Sequence, residues 1–193
     1  MKLGFIGAGN MGSAIISGIL NKGALPADCI YVSRKHPEKG AELAQKGVHI
    51  MKDNLSLVQA VDCVLLAVKP VYAADVIREV YGALNGKFVI SIVAGWTYEM
   101  LKDALPDAAR FVRVMPNICA QVLCSASAVC PNSLCSPAQA ELVRAMFRTV
   151  GEVYDIPEAQ FAAFSALGGM FLVFGSRSVR MMRALYSNRA VRF

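Results

Sequence analysis

Three glycines near the start of the chain, Gly7, Gly9 and Gly12, have the spacing G-x-G-x-x-G. They lie in the segment IGAGNMGSAI, residues 6–15. The apolar run before them predicts a strand, and the residues after them show helical spacing with Gly23 as a stop signal. In such a unit the first glycine permits a tight turn, the second lets the backbone approach a diphosphate, and the third lets helix and strand pack closely. The free N–H groups of the helix then face the phosphates. The segment predicts a dinucleotide-binding loop, and the alternative is a tight turn that holds no ligand.

Strand and helix signals alternate along the rest of the chain. The runs CVLLAV and FVISIV lack polar alternation, so we expect both of their faces to be covered, as in a parallel sheet between helices. Further strands are expected at CIYVS, VHI, RFVRVM, SASAVC and GEVYDI, and helices at about 37–46, 55–61, 71–84, 98–104, 137–149 and from Pro157. Ser136 is the expected cap of the helix that Pro137 opens. The fold class is therefore α/β, a Rossmann-like, doubly wound and mostly parallel sheet followed by a short helical segment.

The end of the second expected strand bears on which dinucleotide binds. An acidic residue about 20 positions after the glycine loop would bind the ribose 2′-hydroxyl of NAD. This chain instead reads YVSRKH, with Ser33, Arg34 and Lys35 at that place. A hydroxyl and two cations suit a 2′-phosphate, so NADP(H) is preferred over NAD(H). The alternative for the two cations is an ordinary solvated loop pair, and FAD is disfavoured because no additional flavin domain is evident.

Charge is unevenly distributed over the 193 residues, whose formal net charge is +6. All acidic residues lie at or before Glu158, whereas residues 168–193 carry five arginines and no acidic residue. The body is close to neutral, which disfavours nucleic-acid binding. The start shows no signal-peptide pattern and the longest apolar run, residues 161–175, is too short for a membrane span, so a cytoplasmic location is expected.

Four of the six cysteines fall in one short region, at Cys119, Cys124, Cys130 and Cys135. Their spacing contains no C-x-x-C pair, and the two histidines lie far away in the sequence. Zinc sites in proteins show closer paired spacing, so we expect no metal site and reduced cysteines that act as small apolar residues.

Five motifs occur in the order found in pyrroline-5-carboxylate reductases: GFIGAGNMGSAI, LAVKP, SIVAG, RVMPN and VGEVYDIPE. The sequence resembles that family over about residues 1–167. The resemblance implies NADPH- or NADH-dependent reduction of the cyclic imine 1-pyrroline-5-carboxylate to L-proline, the last step of proline biosynthesis, by a protein that forms a homo-oligomer. It implies no particular catalytic acid, because a protonated imine accepts hydride readily once it is positioned and water is excluded.

The same resemblance assigns cofactor contacts residue by residue. The cofactor loop falls on Ile6, Gly7, Ala8, Gly9, Asn10, Met11 and Gly12, the 2′-phosphate side on Ser33 and Arg34, the adenosine side on Asn54, and the ribose and nicotinamide side on Ala67, Val68, Lys69, Pro70, Val93, Ala94, Gly95, Pro116 and Asn117. Simpler alternatives exist, in which Pro70 and Pro116 only end strands, Asn54 caps a helix and Lys69 is solvated.

The pattern of the family is lost toward the end of this chain. FSALGG is followed by MFLVFGSRSVRMMRALYSNRAVRF rather than by a Gly-Pro turn and a long helical domain. We therefore expect a dinucleotide-binding domain at 1–156 and, at 157–193, a truncated or frame-shifted remnant of the dimerisation domain with a basic tail. The competing interpretation of that tail is a basic amphipathic helix, with Arg177, Arg180 and Arg183 three apart, for a partner or an anionic membrane surface.

Two further departures concern the loop after RVMPN. The family continues Thr-Pro and later Gly-Glu-Gly, where this chain has Ile118 and Cys119 and then Leu123, Cys124 and Ser125. Two alternatives to the reductase remain: a non-catalytic NADP-binding fragment, and a related NADP-dependent oxidoreductase that acts on a deazaflavin.

Overall fold

Eight strands form one sheet in a computed structural model of the chain, which describes residues 1–169. The expectations for the basic tail beyond residue 169 lie outside the described residues. The strands are β1 Leu3–Ile6, β2 Ile30–Ser33, β3 His49–Ile50, β4 Cys63–Leu66, β5 Phe88–Ser91, β6 Arg110–Met115, β7 Ser125–Pro131 and β8 Gly151–Asp155.

The strand order is β3-β2-β1-β4-β5-β6-β7-β8, with a crossover between β3 and β4. The first six strands are parallel to one another, β7 pairs antiparallel with β6, and β8 pairs parallel with β7. The predicted α/β, mostly parallel, doubly wound sheet is confirmed. Because the order reverses next to β1, the carboxyl ends of β1 and β4 flank the crevice in which such sheets bind ligands.

Residues 1–169 contain seven α-helices, of which six connect strands and α7 follows β8. They are α1 Asn10–Asn21, α2 Ala41–Gln45, α3 Asn54–Ala60, α4 Pro70–Val80, α5 Tyr98–Ala104, α6 Pro137–Arg148 and α7 Phe161–Gly169. The expected cap at Ser136 is present: its side chain accepts from the Gln139 N–H, and the Gln139 side chain accepts from the Ser136 N–H.

The helix ends differ from the sequence-based boundaries in three places. The expected helix at 37–46 begins with a 3-10 turn at Pro37–Gly40. The expected helix at 71–84 ends with a 3-10 turn at Tyr81–Leu84, and the helix expected from Pro157 begins with a 3-10 turn at Glu158–Gln160. Tighter turns at helix ends satisfy backbone groups that an α-helix leaves unpaired there.

The two faces of the sheet carry separate cores, because alternate side chains of each strand point to opposite sides. On β4, Leu65 packs with α1 and α6, whereas Val64 and Leu66 pack with α3, α4 and α5. A third, smaller cluster joins Phe161 and Phe164 of α7 to β7. None of the helices in residues 1–169 has the length and hydropathy that a bilayer span requires.

Candidate functional site

The glycine loop connects β1 to α1, and its geometry explains two of its glycines. Gly7 has φ +94°, and a Cβ there would lie 2.6 Å from the Ala67 carbonyl oxygen. A Cβ at Gly12 would lie 2.8 Å from the Gly7 carbonyl oxygen. A larger residue at Gly7 would require the turn to move away from Ala67, and a larger residue at Gly12 would require α1 to move away from the turn.

Gly9 differs because it faces open space. A Cβ at Gly9 would have no atom within 4 Å, and the residue is the N-cap of α1 with no side-chain cap. The first N–H groups of a helix have no partner within it. An open backbone beside these donors fits a diphosphate, so the loop passes the geometric test for a dinucleotide.

The other residues of this segment contribute chiefly through the backbone. The side chains of Ala8 and Met11 pack into the core, whereas Asn10 is exposed at the first position of α1. The Ser13 hydroxyl donates to the Ala8 carbonyl oxygen at 3.1 Å and holds the turn against the helix. The loop is therefore fixed from the side opposite to its open face.

A cleft of about 480 Å³ lies at the carboxyl ends of β1, β2 and β4. Six of the predicted site residues line it together, namely Ile6, Gly7, Ser33, Arg34, Asn54 and Val68. The sheet brings them to one edge, since Ile6 is in register with both Ser33 and Leu66. These six predicted residues are thus close in space, although they lie on four different segments of the chain.

A chain of hydrogen bonds crosses this cleft from β2 to α4. The Ser33 hydroxyl, on a residue only 1% exposed, donates to Asn54 Oδ1 at 2.7 Å. Asn54 Nδ2 donates in turn to Glu79 Oε2 at 2.8 Å. Asn54 does not cap α3, which corrects that alternative: the cap is Asp53, whose carboxylate accepts from the Ser56 N–H at 2.7 Å.

The cleft is lined by acidic as well as basic side chains. The sequence at the end of β2 contains only basic ones, so the acidic residues were not expected. Arg34 donates to the Lys39 carbonyl oxygen at 2.7 Å, and the Lys35 ammonium lies 5.8 Å from the centre of the Tyr72 ring. The full set of charged lining residues is Arg34, Lys35, Lys52, Asp53, Asp75 and Glu79. Sequence analysis missed Lys52, Tyr72, Asp75 and Glu79, although positions 72, 75, 76 and 79 have the spacing of one helix face.

Asp53 lines the cleft and is hydrogen-bonded at the start of α3, which displaces its pKa. Hydrogen bonding by the Ser56 side chain and then by its backbone N–H lowers the pKa of the Asp53 carboxyl below its ordinary value. The carboxylate form is the form that caps α3. Asp53 therefore stays charged at the rim of the cleft.

The loops after β4 and β5 continue the same edge of the sheet. Lys69 and Pro70 are exposed, and Pro70 is the first residue of α4, where its missing N–H costs nothing. After β5, the Val93 side chain is buried in the core, whereas Ala94 and Gly95 are exposed in a turn. These residues lie between the cleft and β6, and none of them lines the cleft.

Pro116 and Asn117 line a second, smaller cavity of about 220 Å³ between the end of β6 and α7. Its other walls include Ile118, Phe164 and Ser165. Asn117 Oδ1 accepts from the Ala126 N–H at 3.3 Å, and Asn117 Nδ2 is buried with no hydrogen-bond partner among residues 1–169. An unpaired donor beside a cavity fits a ligand with an oxygen acceptor.

Comparisons with known proteins agree with this geometry. A family model described as NADP oxidoreductase, coenzyme F420-dependent, matches residues 2–95. The pyrroline-5-carboxylate reductase of Methanosarcina acetivorans is 35% identical over 170 residues, which cover 87% of this chain and 63% of that protein. A solved pyrroline-5-carboxylate reductase from Coxiella burnetii is 30% identical, superposes with a TM-score of 0.84, and is covered over 68% of its chain.

The chain belongs to the pyrroline-5-carboxylate reductase family. A further member, from Plasmodium falciparum and solved with NADP bound, is 24% identical with a TM-score of 0.82 over 96% of this chain and 68% of that one, and supports the fold. This chain spans about three fifths of the length of the curated pyrroline-5-carboxylate reductases, with 63% and 59% of the proteins from M. acetivorans and Escherichia coli. The resemblance in the five sequence motifs is thereby confirmed.

Proposed function

We propose that this chain binds NADP(H) along the carboxyl edge of its sheet and serves the reduction of 1-pyrroline-5-carboxylate to L-proline. One observation carries the proposal: Ile6 and Gly7 of the glycine loop line one cleft with the Ser33–Asn54 pair, in a member of this reductase family. The NADP-bound relative from P. falciparum supports the choice of cofactor. Preference for NADP(H) over NAD(H) rests on Arg34, Lys35 and Lys52 at the cleft.

Bound NADPH would supply a hydride to the C=N carbon of the protonated imine, which yields the secondary amine of proline and NADP⁺. The residues of this chain would bind and orient. The loop Ile6–Gly12 would hold the diphosphate, Ala67–Pro70 and Val93–Gly95 would pass the ribose and nicotinamide, and Pro116 with Asn117 would border the nicotinamide end. Positioning and exclusion of water supply most of the rate in such a reaction, so we assign no catalytic acid.

The organisation of the chain and its setting belong to the same proposal. We divide it into a dinucleotide-binding domain at 1–156 and a second segment at 157–193. We further propose a cytoplasmic homo-oligomer with a small-molecule substrate and no nucleic-acid partner.

Two alternatives predict different outcomes in one experiment. An NADP-binding unit without turnover would share the cleft, and an oxidoreductase acting on a deazaflavin would share the match over residues 2–95. Matches to curated pyrroline-5-carboxylate reductases extend over up to 87% of the chain, which favours the imine substrate.

The test combines NADPH binding, followed by fluorescence, with NADPH oxidation in the presence of 1-pyrroline-5-carboxylate. Gly9→Ala is the informative variant, because its methyl group meets no protein atom within 4 Å yet occupies the expected place of the diphosphate. Gly82→Ala, also with open space around it, is the matched control. We expect binding by the unaltered chain and by Gly82→Ala, and binding at least about tenfold weaker for Gly9→Ala.

Turnover together with binding would support the full proposal. Binding without turnover would favour the non-catalytic alternative. If the unaltered chain binds no NADPH, the assignment of the glycine loop is wrong.

A further inference from the structure

We propose that Glu79 is a specificity-determining residue of the nucleotide cleft, which orients the Asn54 amide and so commits the Ser33 hydroxyl hydrogen to Asn54. The inference rests on the proposed nucleotide binding and deepens it. Glu79 lies on α4, 46 positions after Ser33 in the sequence, and lines the same cleft. The fold brings Glu79 to this cleft, and no local sequence motif indicates that it lies there.

The direction of each hydrogen bond in the chain is fixed by chemistry. A carboxylate can only accept, so the part of the Asn54 amide that faces Glu79 Oε2, 2.8 Å away, is the NH₂ group. The carbonyl oxygen of that amide then faces Ser33 Oγ at 2.7 Å. Because an amide oxygen can only accept, the single hydroxyl hydrogen of Ser33 is donated to Asn54.

The hydrogen bond to Asn54 decides which hydrogen-bonding groups Ser33 presents to a ligand. With its hydrogen committed, the hydroxyl presents only lone pairs, which accept from a ribose hydroxyl and repel a phosphate oxygen. If the Asn54 amide turned over, its NH₂ group would face Ser33, and the Ser33 hydrogen would be free to donate to a phosphate. Glu79 prevents that reversal, because a reversed amide would bring its oxygen against the carboxylate.

The charge of Glu79 acts in the same direction. A carboxylate that lines the cleft repels the 2′-phosphate of NADP(H) and has no such effect on the 2′-hydroxyl of NAD(H). Glu79 thus opposes the preference that Arg34, Lys35 and Lys52 create. Glu79 therefore acts in two ways, by its charge and by orienting the Asn54 amide. A variant of another carboxylate, which lines the cleft one turn of α4 before Glu79, measures the effect of charge alone.

That second carboxylate is Asp75, which pairs with Arg78 at 2.9 Å and has no bond to Asn54. Asp75→Asn therefore removes a charge from the cleft and leaves the hydrogen-bond chain intact. Glu79→Gln removes a charge and also allows reversal, since a glutamine side chain can either accept from Asn54 or donate to it. Any excess effect of Glu79→Gln reports amide orientation.

The experiment measures the dissociation constants of NADPH and NADH by fluorescence for the 193-residue chain, for both variants and for each in a Ser33→Ala background. We expect Glu79→Gln to raise the affinity ratio of NADPH to NADH about fivefold, and Asp75→Asn about twofold or less, as exposed charge effects are small. In the Ser33→Ala background the excess of Glu79→Gln over Asp75→Asn should vanish. The thermal midpoints of the variants show whether each remains folded.

The outcomes are distinct. Equal effects of Glu79→Gln and Asp75→Asn, or an excess that persists without the Ser33 hydroxyl, would overturn the orienting role while nucleotide binding stands. Absence of binding by the unaltered chain would overturn the proposed function and this inference with it.

Discussion

The Arg113 guanidinium on β6 and the Glu158 carboxylate at the approach to α7 lie 2.6 Å apart. Arg113 is 8% exposed, and its guanidinium lies 4.2 Å from the centre of the Phe161 ring. The same Glu158 oxygen accepts from the Tyr98 N–H at 3.0 Å. One carboxylate thus ties α7 to the sheet and to α5.

Glu158→Ala should lower the free energy of unfolding by roughly 2 to 4 kcal/mol, because it leaves the Arg113 charge buried without its partner. Urea unfolding followed by circular dichroism measures the loss. The control is Glu99→Ala, which removes the partner of Lys102 from an exposed pair and should change stability by about 0.5 kcal/mol or less. Similar losses for the two variants would contradict a structural role for the Arg113 pair.

Gly7→Ala should destabilise the chain by about 2 kcal/mol or more, since the residue combines a positive φ with a contact of its Cβ against the Ala67 carbonyl oxygen. Gly82→Ala, with open space and no positive φ, should be close to neutral in the same thermal unfolding experiment. A Gly7→Ala variant that unfolds with the unaltered midpoint would show that the turn can relax.

Leu123 has φ +57°, the one positive φ outside glycine in the described residues. The resemblance implies a Gly-Glu-Gly turn in this loop, and this chain has a leucine in the left-handed conformation there. Leu123→Gly should therefore raise stability by about 0.5 to 1 kcal/mol, as relief of left-handed strain exceeds the entropic cost of glycine. Leu134→Gly is the matched control, because Leu134 is similarly exposed, at 52% against 41%, and should be destabilised by the same change.

The six cysteines, all free thiols, should differ widely in reactivity. Burial raises the pKa of the Cys63 thiol far above its ordinary value, and burial raises those of Cys130 and Cys135 as well. Cys124 is exposed on the loop after β6. Labelling with a thiol reagent at pH 8, followed by mass spectrometry of peptides, should modify Cys124 first and Cys63 only after unfolding. Early modification of Cys63 would indicate that the sheet opens readily.

Asp53 should stabilise α3 in a pH-dependent way. Its pKa is lowered in the folded chain, so its contribution is present above the unfolded value of 3.8 and is lost as the pH falls through the lower folded value. Asp53→Ala should lower the free energy of unfolding near neutral pH, whereas Asp53→Asn, which can still cap α3, should lower it less. Unfolding measured from pH 7 down to pH 3 checks both, and a constant difference between Asp53→Ala and the unaltered chain would contradict the role of the charge.

Local signals account for the parts of the fold that sequence analysis anticipated. The glycine spacing at residues 7–12 and the cap at Ser136 are short-range patterns with one favourable backbone solution, so their positions follow from neighbouring residues. The strands CVLLAV and FVISIV were recognisable because burial on both faces leaves no polar alternation.

Long-range pairing accounts for what was missed. The resemblance named Asn54 as a site residue, but nothing near Asn54 in the sequence indicates that Glu79 will accept a hydrogen bond from it, since α4 brings Glu79 there. Asp53 caps α3 because it holds the extended N-cap position, whereas Asn54 is the first residue of the helix and its side chain is bonded across the cleft. The antiparallel direction of β7 likewise depends on how the loop after Asn117 reverses, and its apolar composition is the same for either direction.

That reversal of direction decides where the polypeptide leaves the described fold. β8 runs with β7, so its carboxyl end at Asp155 lies at the edge of the sheet away from the glycine loop. α7 then runs back, and near its end Gly168 lies 3.9 Å from the Asn117 side chain, measured from a Cβ built on the glycine. The direction of β8 therefore decides that α7 closes one side of the small cavity, with Phe164, Ser165 and Gly168 in its wall.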